Sequence, residues 1–247
     1  MQQILIQTRD GVCRSFVARP SRSGPWPAVL VFMDGIGIRP AMLELGDRLA
    51  THGYFVLLPD LFYRAGLYEP MDAKTVFTDP EKRKILMEKF FAVATPENIV
   101  SDTRAFLDFL AAQPDVKGNK YGITGYCMGG RLALIAAGTY PGSFVAAASF
   151  HGSRLANDAA PDSPHLLAPK MKRMRVVVAG AIEDASFPDD MKVRLDEALT
   201  KAGVDHKVET YPAKHGWVFR DHTAYNAAES EHHWRELIAL FDSTLKK

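Results

Sequence analysis

The chain has 247 residues, 47% hydrophobic and 24% charged, with 30 Lys plus Arg against 29 Asp plus Glu. An intrinsically disordered chain is poorer in apolar residues and more one-sided in charge. The near-neutral balance also argues against a protein built to grip nucleic acid or an anionic membrane surface.

Two cysteines, Cys13 and Cys127, build no disulfide scaffold, and free thiols suit a reducing compartment. The start, Met1-Gln2-Gln3-Ile4, lacks the basic and apolar regions of a signal peptide, and the apolar runs are too short to span a bilayer. The expected location is the cytoplasm. No long repeat stands out, so residues 1–247 are expected to form one domain.

In chain order, Ile4 to Gln7 and Val12 to Arg19 read as strands around the turn Asp10-Gly11. Ala28 to Met33 is a continuous apolar run, as in a strand buried on both faces. Pro40 to His52 has helical spacing, with Met42, Leu45 and Leu49 on one side and Gly53 as its stop. Tyr54 to Leu58 is the next strand. The stretch Phe62 to Ala94 is long for a connection, with a short helix expected near Asp79-Pro80, and is the expected lid. Thr95-Pro96 opens a helix whose buried stripe is Ile99, Thr103, Phe106, Leu107 and Leu110.

Tyr121 to Thr124 is a short strand, followed by a glycine-rich turn and the helical run Arg131 to Ala137. Phe144 to Phe150 and Arg175 to Ala179 are further strands. Pro188 to Ala202 is a helix with Met191, Leu195, Ala198 and Ala202 facing inward. His206 to Thr210 is the last strand. Ala224 to Leu245 is a final helix with Trp234, Leu237, Ile238, Phe241 and Leu245 inside and His232 and His233 at the surface. Buried strands alternating with amphipathic helices predict an α/β protein with a mostly parallel sheet and helices on both faces.

Gly125-Tyr126-Cys127-Met128-Gly129-Gly130 has the form G-x-C-x-G between a strand and a helix. A nucleophile on so sharp a turn needs small residues two places before and after it. The turn aims the following backbone N–H at the reacting carbonyl. A cysteine nucleophile needs a base, and the base an orienting acid. In hydrolases of this type the order is nucleophile, acid, histidine. Asp189 and Asp190 read as first-turn helix acids, which leaves Glu183 and Asp184, with Asp184 favoured. His215 lies between the last strand and the final helix, where the base is needed; His151, directly after a strand, is the rival.

These residues together resemble the dienelactone hydrolase family, cysteine members of the α/β-hydrolase superfamily. The similarity covers nearly the whole chain. Its markers are the elbow at Cys127, Leu58-Pro59-Asp60-Leu61, Asp184 with Phe187-Pro188, and Tyr211-Pro212 leading to His215-Gly216. The resemblance implies an α/β-hydrolase fold, a triad of Cys127, Asp184 and His215, and oxyanion donors at the amides of Gly35 and Met128. The family pattern carries a thiol-activating glutamate in the first of these loops. This chain has Asp34, expected either to contact the thiol or to order the loop. The family also holds a substrate carboxylate with an arginine four residues after the histidine. Here that position is Phe219, and the nearest arginine is Arg220.

The expected function is hydrolysis of a small-molecule lactone or short ester through a thiol acyl-enzyme, with no cofactor or metal, by a monomer or small homo-oligomer. The alternatives are a thiol peptidase or acyltransferase on the same triad, or a non-catalytic ligand-binding relative. Arg39, Arg64, Arg83 and Arg220 lie in segments expected to ring the site. Arg83 and Arg220 are the chosen carboxylate partners, and Tyr126, His151 and Trp217 the other expected substrate contacts.

Overall fold

The computed structural model describes residues 1–247. Eight strands form one sheet: β1 (Gln2–Thr8), β2 (Gly11–Ala18), β3 (Ala28–Phe32), β4 (Phe55–Pro59), β5 (Tyr121–Tyr126), β6 (Phe144–Phe150), β7 (Arg175–Ala181) and β8 (Asp205–Tyr211). Their order across the sheet is β1-β2-β4-β3-β5-β6-β7-β8. The β1–β2 and β2–β4 pairs are antiparallel, and all later pairs are parallel. The parallel strands β3, β4, β5 and β6 are almost wholly buried, which is why they read as unbroken apolar runs.

Six α-helices follow the same chain order: α1 (Pro40–Thr51), α2 (Pro80–Ile85), α3 (Pro96–Ala111), α4 (Met128–Thr139), α5 (Asp189–Ala202) and α6 (Ala227–Leu245). α1 and α6 pack on one face of the sheet, and α3, α4 and α5 on the other. A continuous apolar core fills both layers. This is the mostly parallel α/β arrangement anticipated from the residues, and the α/β-hydrolase fold that the resemblance implies. α3 begins as expected, with Pro96 in its first turn and the Thr95 hydroxyl accepting from the Asn98 amide.

Two local expectations need correction, and one element is additional. α5 is rotated: Leu195 is buried, but its other buried residues are Lys192 and Leu199, while Met191, Ala198 and Ala202 are half-buried. Lys192 goes inside because its Nζ donates to the Ala181 carbonyl at 2.9 Å and to Asp189 at 2.8 Å. His233, expected at the surface, is fully buried, with Nε2 3.0 Å from the Tyr126 hydroxyl. A 3₁₀ helix at Pro164–Lys170 between β6 and β7 has no counterpart in the sequence reading.

The stretch 62–94 folds over the carboxyl ends of the strands. Asp79 caps α2, as its Asp-Pro start suggested, and a π-helical turn at Leu86–Phe91 continues from it. Phe90 anchors that turn against Phe62 and Tyr68, with ring centroids 5.2 and 5.1 Å apart. The next residue, Phe91, lies on the oxyanion loop: a Cβ at Gly35 would come 2.6 Å from its Cζ.

Candidate active site

Cys127 sits between β5 and α4 with φ 53° and ψ −119°, a conformation costly for a residue with a side chain. Two glycines make it possible. A Cβ at Gly125 would collide with the Gly129 carbonyl, and one at Gly129 with the carbonyls of Met33 and Phe32. The turn is tied down by the Cys127 amide, which donates to the Phe150 carbonyl at 3.1 Å. The thiol is thereby lifted above the sheet at the start of α4, where the helix dipole favours negative charge.

Asp184 follows β7 and is buried, whereas Glu183 sits at the positive-φ position of the turn and points to solvent. One Asp184 oxygen accepts from the Ser186 amide at 2.8 Å and from the Ser186 hydroxyl at 2.6 Å. The other lies 2.7 Å from His215 Nδ1. Burial works against the Asp184 charge, but the bonds from His215 and Ser186 outweigh it and hold the carboxyl below its usual range. For His215, burial disfavours the imidazolium. The Cys127 sulfur beside it and the Asp184 carboxylate overcome that and raise it to about 10.

His151 follows β6 but lacks such partners. It is 1% exposed, neither ring nitrogen has a hydrogen-bond partner, and burial pushes its pKa well down. Its ring packs behind His215, with centroids 5.0 Å apart, and edge-on against Trp217, also 5.0 Å away.

The loop after β3 has its own lock. Asp34 accepts from the Ile36 amide at 3.0 Å and takes both Arg39 Nη atoms, at 2.8 and 2.9 Å. Arg39 is buried, donates through Nε to Asp221 at 2.6 Å, and lies 4.9 Å over the Phe219 ring. Asp34 therefore orders the loop and binds it to the segment after His215; its carboxylate is occupied by Arg39. No cluster of three or more His, Cys, Asp or Glu side chains is arranged to hold a metal ion.

A cavity of about 370 Å³ opens above Cys127. Met87 and Phe91 from the π-helical turn and Met128 from α4 give it an apolar wall; Arg131, Arg154, Ser153 and Ser186 are polar.

A family model described as the dienelactone hydrolase family matches residues 13–245. The chain belongs to that family. A relative from Synechocystis sp., provisionally named carboxymethylenebutenolidase, is 27% identical over 94% of this chain and 92% of its own. A provisionally named dienelactone hydrolase from Klebsiella pneumoniae superposes with a TM-score of 0.83 at 23% identity, covering 97% of each chain. A dienelactone hydrolase-like promiscuous phosphotriesterase from metagenomic libraries gives 0.75 at 23%, covering 98% of each. The chain is thus a dienelactone hydrolase-like hydrolase, and no helix in it is long and apolar enough to cross a membrane.

Within this family member the expected substrate contacts lie elsewhere. Arg83 is exposed on α2, outside the cavity. Arg220 lines a separate groove with Glu44 and Arg48. Arg64 is taken by Asp10 and Asp102. Tyr126, His151 and Trp217 are fully buried behind His215 and do not line the cavity. Two arginines that do line the cavity, Arg131 and Arg154, were not among the expected contacts. Arg131 had a signal: it stands four residues after Cys127, one helical turn away on the same face. Arg154 had a weaker one, since it follows the carboxyl end of β6.

Proposed function

We propose that the protein hydrolyses lactones or short carboxylic esters through a thioester formed on Cys127. His215 takes the thiol proton, and the sulfur attacks the carbonyl carbon. The resulting oxyanion is met by the amides of Gly35 and Met128, the latter in the first turn of α4, where amides have no partner within the helix. Each such donor is typically worth about 2.7–4 kcal/mol in the transition state. The C–O bond then breaks, and the leaving oxygen takes the proton from His215. Water attacks the thioester, gives its proton to His215, and releases the acid and the free thiol. Asp184 keeps Nδ1 protonated throughout and turns Nε2 to the reaction.

The observation that carries this reading is the 2.7 Å Asp184–His215 bond beside a cysteine held on a glycine-flanked elbow. The test is Cys127→Ala, which removes one sulfur from a turn and should leave thermal unfolding near wild type. Hydrolysis of aryl esters and lactones should fall by several powers of ten. Retention of more than about a tenth of wild-type turnover would contradict the reading.

A further inference from the structure

The loop after β3 is held at both ends. At its start, Asp34 takes the Ile36 amide and the Arg39 guanidinium, and the Asp34 carbonyl accepts from the Gly37 amide at 3.3 Å. At its far end, the Ile38 amide donates to the Tyr68 hydroxyl at 3.1 Å. Tyr68 belongs to the lid stretch, and from Gly66 to Pro70 it is the one residue that is not exposed. Its hydroxyl donates in turn to Asp60 Oδ1 at 2.8 Å. Asp60, directly after β4, is buried and is fixed by the Phe62 amide at 3.1 Å and by an Arg14 Nη at 2.8 Å. An amide N–H only donates and a carboxylate only accepts, so the direction of both Tyr68 bonds is set. Burial and the Asp60 charge also push the Tyr68 pKa well up, so the hydroxyl keeps its proton.

The contact is close as well as polar. Gly37 has φ 92°, and a Cβ there would come 2.8 Å from the Tyr68 oxygen. The Tyr68 ring stands edge-on to Phe62 and Phe90, with centroids 6.1 and 5.1 Å away, and the Arg14 guanidinium lies 5.5 Å over it. Phe90 belongs to the π-helical turn whose next residue, Phe91, lies on Gly35. The hydroxyl thus ties a buried strand-end carboxylate to the loop that bears the Gly35 amide, and the ring ties the same carboxylate to the lid. An oxyanion donor must be aimed before the reaction begins, and a small misplacement is costly. We propose that Tyr68 is a positioning residue for hydrolysis: its hydroxyl, set between Asp60 and the Ile38 amide, holds the Gly35 amide at the oxyanion and links that donor to the lid. This rests on ester hydrolysis at Cys127 with Gly35 as an oxyanion donor.

Tyr68→Phe tests this, because it keeps the ring and removes one oxygen. On a neutral aryl ester kcat should fall about ten- to hundredfold, less than the loss of about a hundred- to a thousandfold that follows deletion of an oxyanion donor. KM should stay within about twofold, as when an interaction made only in the transition state is lost. Affinity for the corresponding aldehyde, whose hemithioacetal with Cys127 places an oxygen at the donors, should fall in step with kcat/KM. Affinity for the unreactive amide should not change. Alkylation of Cys127 by iodoacetamide expels iodide and uses no oxyanion donor, so its rate, read on the Cys127 peptide, should match wild type. Tyr68→Leu, which also removes the ring, should lower kcat at least as far. Glu69→Gln, at the exposed next position, should match wild type. Wild-type kcat in Tyr68→Phe would overturn the proposal, whatever Tyr68→Leu does, as would a loss confined to KM or equal losses in turnover and alkylation. Hydrolysis surviving in Cys127→Ala would instead overturn the reading of the nucleophile, and the proposal with it.

Discussion

At Cys127 the strained backbone, Gly125 and Gly129 form one device, and all three were legible because the crowding dictates their spacing. Choosing Asp184 over Glu183 needed more than spacing. The turn sends Glu183 to solvent and buries Asp184, where Ser186 supplies two hydrogen bonds and His215 the third. Asp184→Asn keeps the volume but offers an amide in place of the charge, so the imidazole loses its preferred tautomer. Turnover should drop by about two to four powers of ten, while Glu183→Gln should stay within about twofold, as exposed substitutions usually do. Steady-state kinetics of the two variants on one neutral ester check this; a Glu183→Gln loss equal to that of Asp184→Asn would reverse the assignment. Single-residue reasoning failed at His233 and Tyr126. Their mutual hydrogen bond joins α6 to β5, and a polar pair that satisfies itself inside the core leaves no periodic trace.

Among elements, the decisive contact is between two loops. Arg39 joins Asp34, on the loop after β3, to Asp221, on the segment following His215. No local pattern shows a partner so distant in sequence, so Asp34 was legible as a loop acid but not as one arm of a clamp. Arg39→Gln leaves Asp34 as a buried carboxylate without its cation. A loss of about 3–5 kcal/mol is expected, the usual cost of removing one partner from a buried pair. Asp34→Asn combined with Arg39→Gln should recover much of it, because no unpaired charge remains on the loop. Urea unfolding of the single and double variants measures both; a single variant as stable as wild type would contradict the clamp. The lid shows the same limit. Its helix start at Asp79-Pro80 was plain, but the π-helical turn that sends Phe90 inward and Phe91 over Gly35 depends on Phe62 and Tyr68, not on helical spacing. For α5, Lys192 displaced the apolar face because the Ala181 carbonyl and Asp189 satisfy its ammonium.

For the molecule as a whole, alternating buried strands and amphipathic helices were enough for the layer architecture. The crossing of β3 and β4 in the sheet order was not, since pairing partners leave no mark on single-strand patterns. What the topology accomplishes is convergence. The carboxyl ends of β3, β5, β7 and β8 deliver Gly35, Cys127, Asp184 and His215 to one end of the sheet, from segments scattered along the chain. The cavity cations were the least legible part, because any exposed arginine looks like a solvated charge until its neighbours are known. The central claim is that this convergence makes Cys127 the acyl carrier, and intact-protein mass spectrometry tests it most directly. Wild type is mixed with a slowly deacylating aryl ester, quenched in acid within the first turnovers, and digested. One acyl group should be found on the peptide containing Cys127, decaying as free acid appears, and none should form on Cys127→Ala. Full turnover with no adduct, or an adduct on another residue, would contradict the account.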